Sequence, residues 1–379
     1  MKFLFIVTDF SVGGITSSLS NITSLLVKKG HEVEVLDLPK SGKLPESFDA
    51  RVKLRPLTKR ERLWNLSAED IKNAGVFSKI KYSVLGIMKK IMNRSESWMR
   101  FVFKHTRFDG YDAVIGYRQS PVCFYLAKHR SYGAKSVGFW HGDLAYMGDV
   151  SSWDHYVSEL DCVACVSDAV REGLSRAYPK ARLTTVYNVF SPETIRAQAK
   201  GAKRGADGVL NIVSVTRLTD KLKGASRIVE IANRLAKEDV DFDWRVVGGG
   251  ELYSALMHSR AELSLASRLH FVGEKGNPYP EIAGADLLVL TSESESYGMV
   301  VVEALILGVP VVAGYYPALT EILGDGENGI IAENSVLGIY SAVERVATDR
   351  ECYEKLKSGA KAYEYDPDIA YKQFMETVK

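Results

Sequence analysis

The chain has 379 residues, too many for one hydrophobic core of ordinary size, so its length alone predicts about two domains. Hydrophobic residues make up 46% and charged residues 25%, the balance of a soluble globular protein, and a net charge of +2 gives no chain-wide signal for nucleic acid. Four cysteines, at 123, 162, 165 and 352, are too few for a disulfide framework.

The opening segment, MKFLFIVTDF, has one lysine and then a short apolar run, with no signal-peptide cleavage pattern. It reads as the first strand of a sheet. No stretch reaches the roughly 18 apolar residues of a membrane span, so the expectation is a cytoplasmic protein, at most resting on a membrane surface. TSSLSNITSLLVKKG follows, with Leu19, Ile22, Leu25 and Leu26 at helical spacing. HEVEVLDL, YDAVIGY, SVGFWH, CVACVS and LTTVYN are strand candidates, and DAVREGLSRAY is a short helix. This β/α rhythm predicts a mostly parallel sheet covered by helices. Cys162 and Cys165 form a C-x-x-C inside an apolar strand, where they face opposite sides, and they read as packing rather than as a zinc or redox pair.

The rhythm breaks at 196–208, RAQAKGAKRGADG, which reads as a linker. A second series then runs from LNIVSV through FDWRVVG, RLHFVG, DLLVLT and PVVAG to NGIIA, with helices between. The expected division is an N-terminal domain over 1–195, a linker over 196–208, a C-terminal domain over 209–361, and a last helix, 362–379, that could pack back on the N-terminal domain. The fold class is α/β with two doubly wound, Rossmann-like domains.

Residues 51–107 differ from the rest, with fifteen Lys and Arg against four Asp and Glu. Apolar residues are interleaved, among them Val76, Phe77, Ile80, Val84, Leu85, Ile87, Ile91, Met92, Trp98, Met99 and Phe103. A basic amphipathic stretch with Trp and Phe suits an anionic membrane surface; it equally suits a solvated helical face over a domain core. No RNA-recognition motif accompanies the charge.

The densest chemistry lies in SESESYGMVVVEALILGVPVVAG, residues 292–314. A loop leaves the strand DLLVLT, and Gly298 opens a helix. Ligands in open α/β sheets bind beyond the carboxyl ends of strands. The free amides of Gly298, Met299 and Val300 at a helix start form an anion site. Glu303, one turn further in, suits a vicinal diol such as a ribose, and Glu295, before the helix, can face another hydroxyl-rich part of the same ligand. Together they describe a nucleotide-sugar. Arg217, Lys221 and Lys223, after LNIVSV, could neutralise a leaving diphosphate without metal, or be ordinary surface charge. Gly13-Gly14 after the first strand permit close approach of backbone to a ligand. Gly248 and Gly250, without a third glycine, do not complete a dinucleotide fingerprint and are expected to let the ligand or the other domain come near. His141 and Asn188 stand at strand ends, each a site candidate or a satisfied structural group.

With these residues assembled, the chain resembles the retaining glycosyltransferases of family 4, as found in bacterial capsule, O-antigen and exopolysaccharide synthesis. The marks are the E-x7-E element from Glu295 to Glu303 within ESYGMVVVEALILGVPVVA, the GGI and KGHEV stretches at 13–33, WHGD, CVSDAVREGL, VYN, VTRL with KG, and EILGDGENGIIA. The resemblance implies the GT-B architecture, two such domains facing across a cleft. It implies a hexosyltransferase moving a hexose or N-acetylhexosamine from a nucleotide-sugar, with uridine diphosphate as the nucleotide and no metal or other cofactor, to a glycan or lipid-linked acceptor. It places Arg217 and one lysine on the diphosphate, Glu303 on the ribose, and Glu295 with the backbone of Tyr297, Gly298, Met299 and Val300 on the donor sugar. His141 would contact the sugar, and Gly14 would lie near the phosphates or acceptor. The spacing from Arg217 leaves Lys221 and Lys223 both open; Lys223, directly before Gly224, is the choice. Val189 after VYN and Tyr315-Tyr316-Pro317 after VVAG depart from the family pattern. The expected place is the cytoplasm, with a peripheral position on the inner face of the cell membrane as the option that 51–107 opens. The competing readings are a non-catalytic scaffold subunit of a glycosylation complex and, more distantly, a nucleotide-sugar epimerase.

Overall fold

A computed structural model describes residues 1–11, 13–39, 41–65, 67, 72, 82–88, 95–147, 153–203, 205 and 208–379. The chain divides into two compact units. One contains Met1–Val166, Val170–Val189 and Asp368–Lys379; the other contains Ser167–Ala169 and Phe190–Pro367. Residues 196–208, expected as a linker, begin inside a helix, Pro192–Gln198, and belong to the second unit.

In the first unit the described residues form seven parallel strands: β1 (Lys2–Val7), β2 (Glu32–Asp37), β3 (Lys53–Arg55), β4 (Ala113–Gly116), β5 (Lys135–Trp140), β6 (Cys162–Cys165) and β7 (Leu183–Thr185). Their order is β3-β2-β1-β4-β5-β6-β7, so the strand order reverses between β1 and β4. Helices cover both faces of such a sheet, which is why its central strands are continuous apolar runs rather than alternating ones. Phe3, Leu4, Phe5 and Ile6 are all fully buried, and Phe5 lies in register with Val35 on one side and Ile115 on the other. Cys162 and Cys165 are buried thiols on β6, part of the packing.

The second unit repeats the plan with β8 (Leu210–Val215), β9 (Phe242–Val247), β10 (Leu269–Gly273), β11 (Leu287–Leu290), β12 (Val311–Gly314) and β13 (Gly329–Ala332), in the order β10-β9-β8-β11-β12-β13. Here the reversal falls between β8 and β11. The amphipathic helix Ala225–Lys237 buries Ile228, Ile231, Ala232 and Leu235 against Trp244 and Val246.

Three features refine the expectations. Trp98, Met99 and Phe103, which suited a membrane surface and a domain core equally, are buried in the first unit's core. Their helix, Glu96–Val102, is capped by Ser95, and the neighbouring bases are used internally: Arg60 bonds the Phe101 and Val102 carbonyls, and Arg55 lies over the Phe108 ring. Aromatic burial removes these side chains as interfacial anchors. Within helical residues 82–88, Val84 and Ile87 are exposed, whereas Val76, Phe77, Ile80, Ile91 and Met92 lie outside the described residues. Second, β3 is a strand inside this basic segment, too short for its alternation to be read. Third, the ALTEILG segment is a short 3-10 turn, Pro317–Glu321, not an α-helix.

The last helix, Pro367–Val378, buries Ala370, Phe374 and Val378 at four-residue spacing in the first unit. The Phe374 ring meets Phe3 edge-on at 5.3 Å and stacks on Phe5 at 6.1 Å. Phe374→Ala is expected to destabilise the first unit by about 3–5 kcal/mol. Hydrogen exchange should then speed up in β1 and helix Gly14–Lys28 while β8 and β11 keep their protection; equal loss in both sheets would contradict this packing.

Candidate active site

The loops after β8 and β11 leave neighbouring strands at the second sheet's reversal point, where the crossovers diverge and a crevice opens beyond the carboxyl ends. They are tied backbone to backbone. Glu293 N donates to Leu222 O at 2.8 Å, Thr291 Oγ1 donates to Lys223 O at 3.3 Å, and a side chain at Gly224 would collide with Thr291 O. Leu222 holds a left-handed backbone, φ 72°, to present that carbonyl.

This junction brings Lys223 to Glu295. Lys223 Nζ donates to Glu295 Oε1 at 2.6 Å, and Ser292 Oγ donates to the same oxygen at 2.8 Å. The two side chains are 20% and 17% exposed, shielded enough for the pair to be stronger than a surface ion pair. Arg217 and Lys221 are exposed on the same loop, and neither forms an ion pair among the described residues. Gly298, at φ 95°, precedes the helix Met299–Ile306; Val301 N donates to Gly298 O at 3.0 Å, which leaves the amides of Met299 and Val300 as those without a helical acceptor. Tyr297 is buried, its ring 6.4 Å from Phe190. Glu303 lies on that helix and accepts from the Tyr279 hydroxyl at 3.3 Å. Burial raises its pKa to about 7, the Tyr279 hydrogen bond working in the opposite direction.

Several residues at this site carried no signal in the sequence. Asn334, just past β13, shares its two amide hydrogens among the carbonyls of Ser292, Glu293 and Tyr315, which lie 3.2, 3.1 and 2.8 Å from Nδ2, and its Oδ1 accepts from Arg227 Nη1 at 2.6 Å. Asn334 and Arg227 thus staple the Glu295 loop to two neighbouring strand ends. The Tyr316 hydroxyl is buried without a hydrogen-bond partner and occupies the space that a side chain at Gly298 would need. Gly248 and Gly250 also have a different use from the one expected. A Cβ at either would strike the Thr216 or Leu218 carbonyl, so these glycines admit the loop after β8.

The first unit has its own reversal-point cluster. Asp9 follows β1, and its Oδ1 accepts from Arg118 Nη1, after β4, at 2.6 Å. His141, after β5, packs on the Tyr117 ring at 4.9 Å. Its Nε2 lies 2.8 Å from Tyr117 O, an acceptor, so Nε2 carries the proton and Nδ1 is left as an acceptor. Burial lowers the His141 pKa to about 4, keeping the ring neutral. Gln119 Oε1 accepts from the His141 and Gly142 amides, fixing the turn. Gly14 is exposed at the start of its helix. Asn188 is buried with its Oδ1 accepting from Ser18 at 2.5 Å, a structural role. A cavity of about 320 Å³ lies elsewhere, lined by Lys203, Asn211, Asp243 and Glu281 near the amino ends of β8 and β9. Among the described residues no cluster of His, Cys, Asp and Glu is placed to hold a metal.

The raised Glu303 pKa sets a pH dependence. An unfolded glutamate, near 4.5, loses its proton before the folded one does, so burial destabilises the fold increasingly from pH 4.5 to about 7 and by a constant amount above. Glu303→Gln is therefore expected to be more stable than wild type, by a margin that grows across this window and then levels off. Urea midpoints at pH 4, 6 and 8 measure it; a pH-independent margin would mean an ordinary carboxylate.

The sequence matches two family models, one in each half: Glycosyltransferase Family 4 over residues 12–194 and Glycosyl transferases group 1 over residues 198–363. N-acetyl-alpha-D-glucosaminyl L-malate synthase of Bacillus anthracis is 24% identical over 65% of this chain and 67% of its own length. The lipopolysaccharide core biosynthesis glycosyltransferase LpsE of Rhizobium meliloti is 23% identical over 56% of this chain and 62% of its own. An uncharacterized glycosyltransferase of Haemophilus influenzae is 20% identical over 96% and 95%. Among solved structures, S. aureus TarM with UDP superposes at a TM-score of 0.73 with 13% identity, over 100% of this chain and 99% of that one. Anabaena HepE with UDP and glucose superposes at 0.68 with 18% identity, over 100% and 99%. The two matched halves, the named relatives and the doubly wound units together place the chain among the GT-B glycosyltransferases.

Proposed function

We propose that the chain is a retaining glycosyltransferase that moves a hexose or N-acetylhexosamine from a nucleotide-sugar, with uridine diphosphate as the nucleotide, to a glycan or lipid-linked acceptor in surface polysaccharide synthesis. The observation that carries this reading is the meeting of Lys223 and Glu295 beside the open amide end of helix Met299–Ile306, at a sheet reversal point. A cation and free amides suit a diphosphate, and carboxylates on either side suit hydroxyls. That TarM and HepE structures hold UDP supports the choice of nucleotide.

In this reading the exposed Arg217 and the partly buried Lys223 bind the diphosphate, Glu303 the ribose, and Glu295 with the Tyr297–Val300 backbone the sugar. Lys221, exposed on the same loop, is the alternative cation. The neutral His141 ring, with Nδ1 as acceptor, can take a hydroxyl hydrogen bond, and Gly14 lies at the same sheet end in its unit. The acceptor oxygen attacks the anomeric carbon on the face that the leaving phosphate vacates. The bond from that carbon to the phosphate oxygen breaks, and the departing oxygen takes the acceptor's proton. Arg and Lys stabilise the growing phosphate charge without a metal.

Incubation with a panel of nucleotide-sugars in EDTA, without acceptor, is expected to release nucleotide slowly from one donor. Arg217→Ala should lower turnover by 10²-fold or more, whereas Glu303→Ala should mainly weaken donor binding. No release and no thermal shift with any donor would instead favour a scaffold.

The proposed membrane contact rests on the remaining charge of 51–107 and on exposed Val84 and Ile87. Flotation with vesicles containing anionic lipid should recover the protein at low salt and lose it at high salt. Failure to float at low salt would remove the reason for a membrane-bound acceptor.

A further inference from the structure

The Lys223–Glu295 pair has a consequence for selectivity that rests on the nucleotide-sugar reading above. The lysine is already spoken for. Its ammonium sits on Glu295 Oε1, and Ser292 donates to that same atom. Neither partner has much slack, because the loops that carry them are joined through Leu222 and Thr291 and stapled by Asn334 and Arg227. A diphosphate that draws Lys223 away therefore strands the Glu295 carboxylate. It would keep only the Ser292 hydroxyl, largely out of water and beside newly arrived negative charge, an unfavourable state for a shielded carboxylate.

A sugar changes that outcome. Its hydroxyls can donate to Glu295 in place of the ammonium, so the exchange is compensated only when diphosphate and sugar arrive together. We infer that the Lys223–Glu295 ion pair is a specificity device, which makes diphosphate capture conditional on the attached sugar and so weakens binding of the spent nucleoside diphosphate relative to the intact donor. The pair would limit product inhibition as well as set up the site.

Removing this binding-site carboxylate should therefore tighten binding of part of the ligand. Isothermal titration with UDP, and with ADP and GDP as alternates, is made on wild type, Glu295→Gln, Lys223→Gln and the double variant. Glu295→Gln should bind the nucleoside diphosphate about tenfold more tightly, the scale of one partly shielded charge pair. Lys223→Gln should weaken it, and adding Glu295→Gln to that background should change affinity less than about twofold. Glu295→Ala gives a second version of the first arm, and melting curves check that each variant is folded.

Tightening that persists in full without Lys223 would mean simple charge repulsion by Glu295 and would overturn the pair's role. No tightening would overturn it too. Both outcomes leave the glycosyltransferase reading intact, because nucleotide binding to wild type would still be seen. Wild type that binds none of the three nucleotides would remove the nucleotide-sugar reading, and the inference with it.

Discussion

The backbone seam between the loops after β8 and β11 is the constraint on which the second unit's site depends. Parallel strands adjacent in a sheet send their following loops out at the same edge, but nothing in strand pairing forces those loops together. Here Glu293 N on Leu222 O and Gly224 against Thr291 O do so. The seam brings a lysine and a glutamate to 2.6 Å although 72 positions separate them in the chain. It also explains a strained non-glycine residue. Leu222 adopts a left-handed backbone because its carbonyl must turn toward the other loop, and backbone strain of this kind persists only where surrounding contacts enforce it.

The two glutamates of the E-x7-E element are alike in sequence and different in chemistry. Glu295 is neutralised by a cation and a hydroxyl. Glu303 has only a tyrosine hydroxyl, and burial raises its pKa to about 7. Glu295, in the loop before the helix, lies beside a charge, and Glu303, inside the helix, lies in a poorly solvated recess. Groups that donate hydrogen bonds to an ionised carboxylate stabilise its charged form, so a bound diol would return to Glu303 what burial takes away. The same physics governs both positions: the donors that reach each carboxylate set how well its charge is held.

Much of the fold was legible because parallel strands announce themselves as short apolar runs. FLFIV, VVAG and DLLVL stand out without any pattern beyond continuity, and the alternation with amphipathic segments such as GASRIVEIANRLAKE fixes the class. The site was legible where chemistry is crowded into a few residues, as from Glu295 to Glu303. It was not legible where function depends on contacts between distant segments. Asn334 is a polar residue in an unremarkable loop until its amide is seen holding three carbonyls. The glycines at 248–250 look like a ligand loop, yet they accommodate a neighbouring backbone. Trp98 shows the limit of composition: a tryptophan among lysines and arginines reads as interfacial, but its neighbours in space are Phe101 and the core.

Tyr316 sharpens the last point. A buried hydroxyl without a partner destabilises a fold, since it has given up water and gained no replacement. Phenylalanine would fill the same volume without that penalty. The ring is well used, lying in the core with Leu319 and Val301 and filling the space beside Gly298. The hydroxyl stands beside the start of helix Met299–Ile306 and within the field of Glu295, whose negative charge adds to the burial that holds its proton on. The lone unsatisfied tyrosine hydroxyl among the described residues thus sits where the Glu295 loop, Gly298 and an open helix end converge. Proteins concentrate such local losses of stability at functional sites, where the rest of the fold can sustain them. The same economy is visible at Leu222 and Glu303: strain, an orphaned hydroxyl and a poorly solvated carboxylate occur in the loops and helix around one sheet reversal point, while the strands that support them are fully packed.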